Sequence, residues 1–236
     1  MTTSHAGITT LGSVATLLAQ ALRSRDLDPA PLFAAAGVDM PGTVGPDARI
    51  PTTRMQALWR LAVDTSGDPC LGLHAVGHFQ PAALHGLGFA WLASDTLHAA
   101  LQRLVRYSRF INTATEYHLE KTRDSVDLVI PLSPELWPDF VFAAVDLGMA
   151  AFLRMCQITA GNSVMPLRVC MQRQQPPCAS EFAAFFGPDI RYGAPDNRLS
   201  FDRVLVEAPL EMASPELARL NDQTVVEYLA RCDNAR

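Results

Sequence analysis

The chain has 236 residues, of which 49% are hydrophobic and 18% are charged, and its formal net charge is −5. This length and composition are typical of a globular protein with one large domain or two small ones, and not of a disordered chain. The acidic balance and the lack of a cluster rich in Lys and Arg argue against direct binding to nucleic-acid phosphates.

The N-terminus, the most apolar segment and the cysteines bear on the cellular compartment. The start, MTTSHAGITT, has neither a basic region nor a long apolar run, so no signal peptide is predicted. The most apolar segment, 140–153, is interrupted by Asp146 and is too short to span a bilayer. The cysteines are odd in number and form no C-x-x-C pair, which predicts five free thiols. Together these features predict a cytoplasmic protein that does not enter the membrane.

The first 110 residues have the apolar spacing of helices. Apolar side chains three and four residues apart predict helices over 10–25, 29–37, 54–66, 70–77, 82–93 and 96–110. Ser94 or Asp95 is the expected N-cap of the last of these helices, because a short oxygen-bearing side chain satisfies its free N–H groups. Gly86 and Gly88 lower the stability of the helix before it and indicate a bend or a close backbone contact.

After residue 110 the pattern becomes that of strands mixed with helices. Two alternating segments, 115–121 and 126–132, flank a turn at Asp124 and predict a β-hairpin. Further strands are predicted over 167–171, 190–192 and 198–201, and helices over 137–161, 180–186 and from 214 onward. The element order predicts an α+β fold, mostly helical, with a small and largely antiparallel sheet packed against helices.

Several polar residues are candidates for binding a ligand, and each has an ordinary structural alternative. His85 lies beside the helix glycines, where a satisfied core histidine is the alternative. Arg106 and Arg109 have planar guanidinium groups that bind anions, and a solvated helix face is the alternative there. On the segment 137–161 a stripe of Asp139, Asp146 and Gln157 either lines an internal polar cavity or forms a partly exposed helix face. Trp91 and Trp137 are more typical of a core than of a pocket wall.

Metal and catalytic motifs are weak or missing. Cys70, His74 and His78 are spaced by four residues, but along a helix only the two histidines are close enough to share one ion, and Gly77 weakens that helix. We therefore predict no metal site and no cofactor. The sequence contains no G-x-S-x-G, P-loop, dinucleotide-binding glycine or C-x-x-C-H motif, so nothing selects a catalytic centre or a haem site.

A series of short motifs resembles a known family. The motifs are Gly67-Asp68-Pro69, Leu71-Gly72-Leu73, Pro81, Gly86-Leu87-Gly88, Ser94-Asp95-Thr96-Leu97, Ala100-Leu101, Arg106-Tyr107, Leu199-Ser200-Phe201-Asp202 and Pro209-Leu210. Their order and spacing resemble the arabinose-binding-like N-terminal domain of AraC/XylS-type bacterial transcription regulators, over roughly residues 23–229. The resemblance rests on this order rather than on any single motif.

The resemblance implies a sensor domain that binds a small-molecule effector and forms a homodimer, and not an enzyme. In this family DNA is bound by helix-turn-helix units in a later region. The chain stops soon after its last predicted helix, so we expect DNA binding to belong to a C-terminal domain absent here. We expect one effector-binding and oligomerisation domain over 1–236, with a helical subregion 1–110 and a mixed α/β subregion 111–236. An enzyme on a similar scaffold and a dimerising module without a ligand are the alternatives.

The segment from Pro81 to Phe110 is the expected border of the effector pocket. It combines apolar side chains with an imidazole, a phenol and two guanidinium groups, as a small-molecule site requires. The candidate contacts are His85, Trp91, Arg106, Tyr107, Arg109 and, from the later helix, Asp146. The alternative places the pocket along the stripe between Asp139 and Gln157.

Overall fold

The computed structural model describes residues 7–43, 45, 48–132 and 140–234. Its helices are α1 (Ser13–Arg23), α2 (Ala30–Ala36), α3 (Thr52–Ser66), α4 (Leu71–Ala75), α5 (His85–Leu92), α6 (Leu97–Arg106), α7 (Ser108–Ile111), α8 (Ala143–Ala160), α9 (Ala179–Phe186), α10 (Arg203–Glu207) and α11 (Pro215–Asn234). Its strands are β1 (Thr9–Leu11), β2 (Arg49–Pro51), β3 (His118–Lys121), β4 (Ser125–Ile130), β5 (Arg168–Met171), β6 (Ile190–Tyr192) and β7 (Asn197–Asp202). The predicted α+β class, mostly helical with small sheets, is confirmed.

Two helices of the N-terminal half, α2 and α3, end where the sequence predicts. Gly37 follows α2 and Gly67 follows α3, both with positive φ (65° and 62°), a conformation that glycine adopts without steric cost. Fully buried side chains, among them Phe33, Leu58 and Trp59, join these helices in one core. Two short 3-10 turns, Val76–His78 and Pro81–Leu84, connect α4 to α5.

A two-stranded antiparallel sheet at the N-terminus corrects the predicted helix over 10–25. β1 pairs with β2, with Thr10 opposite Ile50, and α1 begins only at Ser13. The Thr9 backbone N–H also donates to the Thr113 hydroxyl at 2.8 Å. The apolar spacing of this segment fits a helix, but its partners lie 40 and 104 residues away and decide its structure.

The helix pair at the centre of the resemblance is present, but the single helix predicted over 96–110 is divided at Tyr107 into α6 and α7, and its cap also differs from the prediction. The N-cap of α6 is Thr96, whose hydroxyl accepts from the Ala99 N–H at 3.0 Å, and not Ser94 or Asp95. Ser94 is buried and donates instead to the Ala90 carbonyl oxygen. The close approach expected at the glycines is present, because a Cβ on Gly88 would overlap the Pro81 carbonyl oxygen.

The larger sheet has five strands in the order β3-β4-β7-β5-β6. The predicted hairpin is β3 with β4, and the sheet is antiparallel throughout except for the parallel pair β5 and β6. Arg198 on β7 ties three strands together, since its guanidinium donates to Asp127 on β4 at 3.0 Å and to Glu120 on β3 at 2.5 Å.

α8 is the central helix, and it packs on α3, α4 and α6. Its length of 18 residues and its mean hydropathy of 1.2 would let it cross a membrane, but 61% of it is buried inside the protein. A core helix of a soluble protein has the same properties. Gly72 on α4 permits the close packing, because a Cβ there would overlap the Ala143 carbonyl oxygen at the start of α8.

Cys70 and Cys178 form a disulfide, which corrects the prediction of five free thiols. The bond joins the N-terminal ends of α4 and α9, with the two Cα atoms 6.4 Å apart. Cys156, Cys170 and Cys232 are free. Reasoning from local spacing cannot find a pair whose members are 108 residues apart in the chain.

Candidate functional site

A cavity of about 470 Å³ lies between the N-terminal helices and α8. Small-molecule sites have volumes of roughly 300–1,000 Å³, so this one has a suitable size. Its walls come from β1, the first turns of α1 and α3, the turn before α5, the segment 111–117, the end of β4 and α8. The lining is mostly apolar, and it includes Leu11, Val14, Leu17, Met55, Phe79, Leu84, Ile111, Ile130, Leu132, Phe140, Leu147, Met149 and Phe152.

The space exists because one face of α8 has small side chains. Ala144, Gly148 and Ala151 lie at positions i, i+4 and i+7, which place them on the same side of a helix, and all three line the cavity. A Cβ added to Gly148 would meet no atom within 4 Å. Residues of ordinary size at these positions would fill much of the cavity.

Three mostly buried residues of the cavity lining carry a hydroxyl group, and the Thr52 hydroxyl is a buried group with no hydrogen-bond partner among the described residues. These residues are Thr52 on α3 and Thr115 and Tyr117 in the segment before β3, and they are only 7%, 7% and 9% exposed. Burial alone raises the pKa of the Tyr117 phenol, and its ring packs edge-on against Phe152 at 5.7 Å. An unsatisfied buried hydroxyl costs about 1–3 kcal/mol, a cost that hydrogen bonds to a ligand would remove.

Most other polar groups of the lining form hydrogen bonds within the protein. The Gln56 side-chain oxygen accepts from the Val141 N–H at 2.9 Å, which joins α3 to the segment entering α8. The Thr10 hydroxyl donates to the Ile111 carbonyl oxygen at 3.2 Å, and the Asn112 side-chain oxygen accepts from the Ala114 N–H at 2.7 Å. Glu116, which is exposed, is the one formally charged residue in the described lining.

The six residues predicted from the sequence do not line this cavity. Trp91 is fully buried in the core, and Tyr107 is buried at the junction of α6 and α7. Arg106 and Arg109 are exposed, and the Arg106 guanidinium lies 5.9 Å from the centre of the Tyr107 ring. Arg106 and Tyr107 are neighbours in the chain, and only the arginine is on the exposed surface.

His85 lies in a second, smaller cleft between α5, α7 and α11. The cleft has a volume of about 320 Å³ and also contacts Phe110, Thr224, Tyr228 and Arg231. His85 has φ of 48°, which is strained for a residue with a side chain. Its ring lies 6.2 Å from that of Phe110, and this packing helps to hold the unusual backbone.

Asp146 forms a buried ion pair with Arg173. It lies on α8 between the lining residues Val145 and Leu147, but it is directed to the segment after β5 rather than to the cavity. Burial raises the pKa of Asp146 to about 7, although the Arg173 guanidinium opposes this shift. The Gln157 amide donates to the Val164 carbonyl oxygen at 3.3 Å, so neither residue of the predicted stripe faces the cavity; Asp139 and Trp137 lie outside the described residues.

His74, which has the spacing of a metal ligand in the sequence, is surrounded by carboxylates. The two ring nitrogens of His74 contact Asp68 at 2.7 Å and Glu181 at 2.5 Å, and Arg25 pairs with the same Asp68 oxygen at 2.7 Å. Burial lowers the pKa of His74, but the hydrogen bonds to Asp68 and Glu181 outweigh it and raise the pKa above its ordinary value. His78 contacts the Ser24 hydroxyl at 3.3 Å. No group of three His, Cys, Asp or Glu side chains suited to a metal ion occurs in the described part of the chain.

Comparison with known proteins identifies the family. Residues 27–210 match the arabinose-binding domain of AraC transcription regulators, an N-terminal domain. The chain belongs to this family. The resemblance seen in the sequence motifs is therefore confirmed.

Two proteins from Pseudomonas aeruginosa extend the comparison, one similar in sequence and one similar in fold. The chain is 29% identical over 203 residues to the ornithine utilization regulator, a match that covers 86% of this chain and 59% of that protein. The chain thus spans less than two thirds of the length of this relative. The crystal structure of the transcriptional regulator CdpR has a similar fold, with a TM-score of 0.57 and 14% identity, over 88% of this chain and 70% of that one.

The residues that the sequence reasoning missed have a recognisable pattern. Ala144, Gly148 and Ala151 form a row of small side chains along a helix whose other faces carry large apolar ones. Such a row indicates either close helix packing or a space, and the sequence does not distinguish between them. Thr52 and Thr115 have no pattern of their own, because neighbours distant in the chain enclose them.

Proposed function

We propose that this chain is the effector-sensing part of a transcription regulator and that the cavity beside α8 binds its small-molecule effector. The observation that carries the proposal is the mostly apolar cavity of about 470 Å³ whose lining includes the unpartnered buried hydroxyl of Thr52 and the mostly buried residues Thr115 and Tyr117. An apolar lining with a few placed polar groups is the usual composition of a small-molecule site. Membership of a family of regulatory domains supports the same function.

The walls of the cavity suggest how binding would be transmitted. One wall belongs to residues 8–56 and the opposite wall to residues 111–152, so a ligand contacts segments that are far apart in the chain. A ligand that binds better when these walls are close increases the population of that conformation. The change in population is set by the ratio of its affinities for the two conformations.

Dimerisation and DNA binding are the further parts of the proposal. The regulator acts as a homodimer in the cytoplasm, and it binds DNA through a separate C-terminal domain. The net charge of −5 fits a domain that does not itself hold DNA. Leu217 and Leu220, three residues apart on α11, are about half exposed (54% and 46%) and support an interaction surface there.

The cavity favours sensing over the two alternatives. Within its described lining, the titratable side chains are Glu116 and Tyr117, and neither forms the paired acid, base or nucleophile arrangement that catalysis requires. A module that only dimerises needs no internal space of this size.

A variant that fills the cavity tests the proposal. Gly148→Leu puts a side chain into open space on α8, so we expect it to fold at least as stably as the wild type. Compounds that raise the melting temperature of the wild-type protein in a thermal-shift screen should not raise that of this variant. Gly77→Leu, at an exposed glycine whose Cβ would also meet no atom within 4 Å, is the matched control and should respond like the wild type.

An unchanged response of Gly148→Leu would contradict the cavity as the effector site. If the same compounds stabilise Gly148→Leu as strongly as the wild type, the effector binds elsewhere. His85→Ala, in the second cleft, and Arg106→Ala, in the segment 81–110, are then the next variants to examine.

A further inference from the structure

Resting on the proposed function, we infer that the effector held in this cavity is uncharged and mainly apolar, with one or two oxygen atoms that accept hydrogen bonds. Alcohols, ketones, esters and lactones belong to this class. Amino acids, free carboxylates, phosphates and polyhydroxylated sugars do not.

The charge of the lining argues against an anion. No Lys, Arg or His side chain lines the cavity in the part of the chain that the structure describes, and the one formally charged group there, Glu116, is negative. A carboxylate or phosphate would lose its hydration on entry, gain no counter-ion and be repelled by Glu116. Burying an unpaired charge is one of the largest penalties in a protein interior.

The position of Glu116 argues against a buried cation as well. The side chain is exposed to solvent, where water and salt screen its attraction for an ammonium group. The buried polar groups, Thr52, Thr115 and Tyr117, are all neutral hydroxyls. A group that satisfies them needs no charge.

The donors around the cavity determine which polar atoms the ligand presents. Each of the three hydroxyls can donate one hydrogen bond and can also accept one, so the hydroxyl or carbonyl oxygen of a neutral ligand satisfies them. The first turns of α1 and α3 also border the cavity, and neither helix has a side-chain cap, although the Thr52 N–H already donates to the Ile8 carbonyl oxygen at 3.0 Å. A helix N-terminus attracts negative partial charge only weakly, which suits a neutral oxygen and does not compensate the desolvation of a carboxylate.

The small number of polar side chains in the cavity lining argues against a sugar. A sugar exposes a hydroxyl on almost every carbon, and each buried hydroxyl requires a partner. The apolar side chains outnumber the polar ones in this lining, and Gln56, Thr10 and Asn112 already use a side-chain oxygen or hydroxyl in hydrogen bonds within the protein. Too few polar groups remain for a molecule that is polar on all sides.

A matched set of three probes tests the inference: 1-octanol, octanoate and octylamine. They share an eight-carbon chain and differ in the charge of the head group, and their binding to the whole chain is measured by calorimetry and thermal shift. We expect 1-octanol to bind roughly tenfold more tightly than either charged probe at neutral pH. Octanoate binding should strengthen as the pH falls toward the pKa of its carboxyl group, because the neutral acid is the form that enters.

Variants then assign the polar contacts. Thr115→Val and Tyr117→Phe should each weaken 1-octanol binding by about two- to tenfold, the usual effect of one lost hydrogen bond. Thr65→Val on the exposed part of α3 and Tyr192→Phe, whose hydroxyl has no described partner and lies away from the cavity, are the matched controls and should bind like the wild type.

Some results would contradict only the uncharged class of effector, and others would contradict the cavity as the binding site. Tighter binding of octanoate at neutral pH, or tighter binding of octylamine that is lost in Glu116→Gln, overturns the uncharged class while leaving the cavity as the site. Binding of 1-octanol that persists in Gly148→Leu, or no binding of any of the three probes to the wild type, overturns the cavity as the effector site and the inference with it.

Discussion

The carboxylate of Asp146 on α8 is paired with the guanidinium of Arg173 after β5, and both side chains are removed from water, with 2% and 13% of their surfaces exposed. Arg173 also lies over the Phe182 ring on α9, 5.2 Å from its centre. The pair therefore fixes the helix that forms one wall of the cavity to the sheet and to α9. Its role is to position α8, since neither side chain lines the cavity.

Removing one partner of this pair should be costly. We expect Asp146→Ala to lower the free energy of unfolding by about 3–5 kcal/mol, because it leaves a buried guanidinium without a counter-charge. The double variant Asp146→Leu with Arg173→Met should be much closer to the wild type, since it removes both charges together. Urea unfolding measures both, and equal losses in the single and double variants would contradict this role.

The disulfide between Cys70 and Cys178 should contribute to stability. The bond closes a long loop, and such bonds typically stabilise a protein by about 2–5 kcal/mol. We expect Cys178→Ser, or reduction of the wild type, to lower the melting temperature, whereas Cys170→Ser should change it little. Thiol titration of the denatured, unreduced protein should count Cys156, Cys170 and Cys232. Titration of all five cysteines without reductant would mean that the bond is absent.

The His74 cluster should make stability depend on pH. The folded-state pKa of His74 is raised above 6.5, so the protonated ring stabilises the fold below that pH, and this contribution is lost as the pH rises through the folded-state pKa. We expect the stability difference between the wild type and His74→Asn to be largest below pH 6.5 and to shrink above it. His118→Asn, at an exposed site on β3, is the control. Urea unfolding at several pH values measures the effect, and a difference that is constant with pH would rule out a charged His74.

Two helix glycines should respond in opposite ways to the same substitution. Gly88→Ala should destabilise the fold by about 1–3 kcal/mol, because the new Cβ would overlap the Pro81 carbonyl oxygen. Gly148→Ala should stabilise it by about 0.5–1 kcal/mol, because alanine favours a helix and the new Cβ meets open space. Thermal unfolding of both variants checks the contrast. If Gly148→Ala were destabilised, the space beside α8 would be too small for an added methyl group.

The chain alone should not bind duplex DNA. Its net charge is −5 and it has no basic cluster, whereas binding to phosphates requires several Lys and Arg side chains. A mobility-shift assay at low salt should show no complex. A tight complex that weakens steeply with added salt would contradict the assignment of DNA binding to another domain.

Local patterns were sufficient for most elements of this fold. The ends of α2 and α3 follow from glycines that take positive φ, and the hairpin of β3 with β4 follows from alternation around a polar turn. Both signals come from interactions between residues that are close in the chain. The same reasoning gave the wrong cap for α6, since Ser94, Asp95 and Thr96 all have capping side chains and only packing selects Thr96.

The candidate site was less accessible to such reasoning. His85, Arg106 and Arg109 have the chemistry of ligand contacts, but His85 lies in a second cleft and the two arginines lie on the exposed surface of α6 and α7. A cavity forms where the side chains of several packed elements leave space between them. No single segment encodes it.

By itself the sequence determined the class of the fold, the family of the chain and the positions of most helices and strands, because periodicity, capping and turn chemistry act over a few residues. Only the tertiary structure decided that Cys70 meets Cys178, that Asp146 meets Arg173, and that Gly148 faces a cavity near Thr52 and Tyr117. Those relationships join residues from about 27 to 108 positions apart, and they depend on how whole elements pack. Burial, and with it the chemistry of each of these groups, follows from that packing.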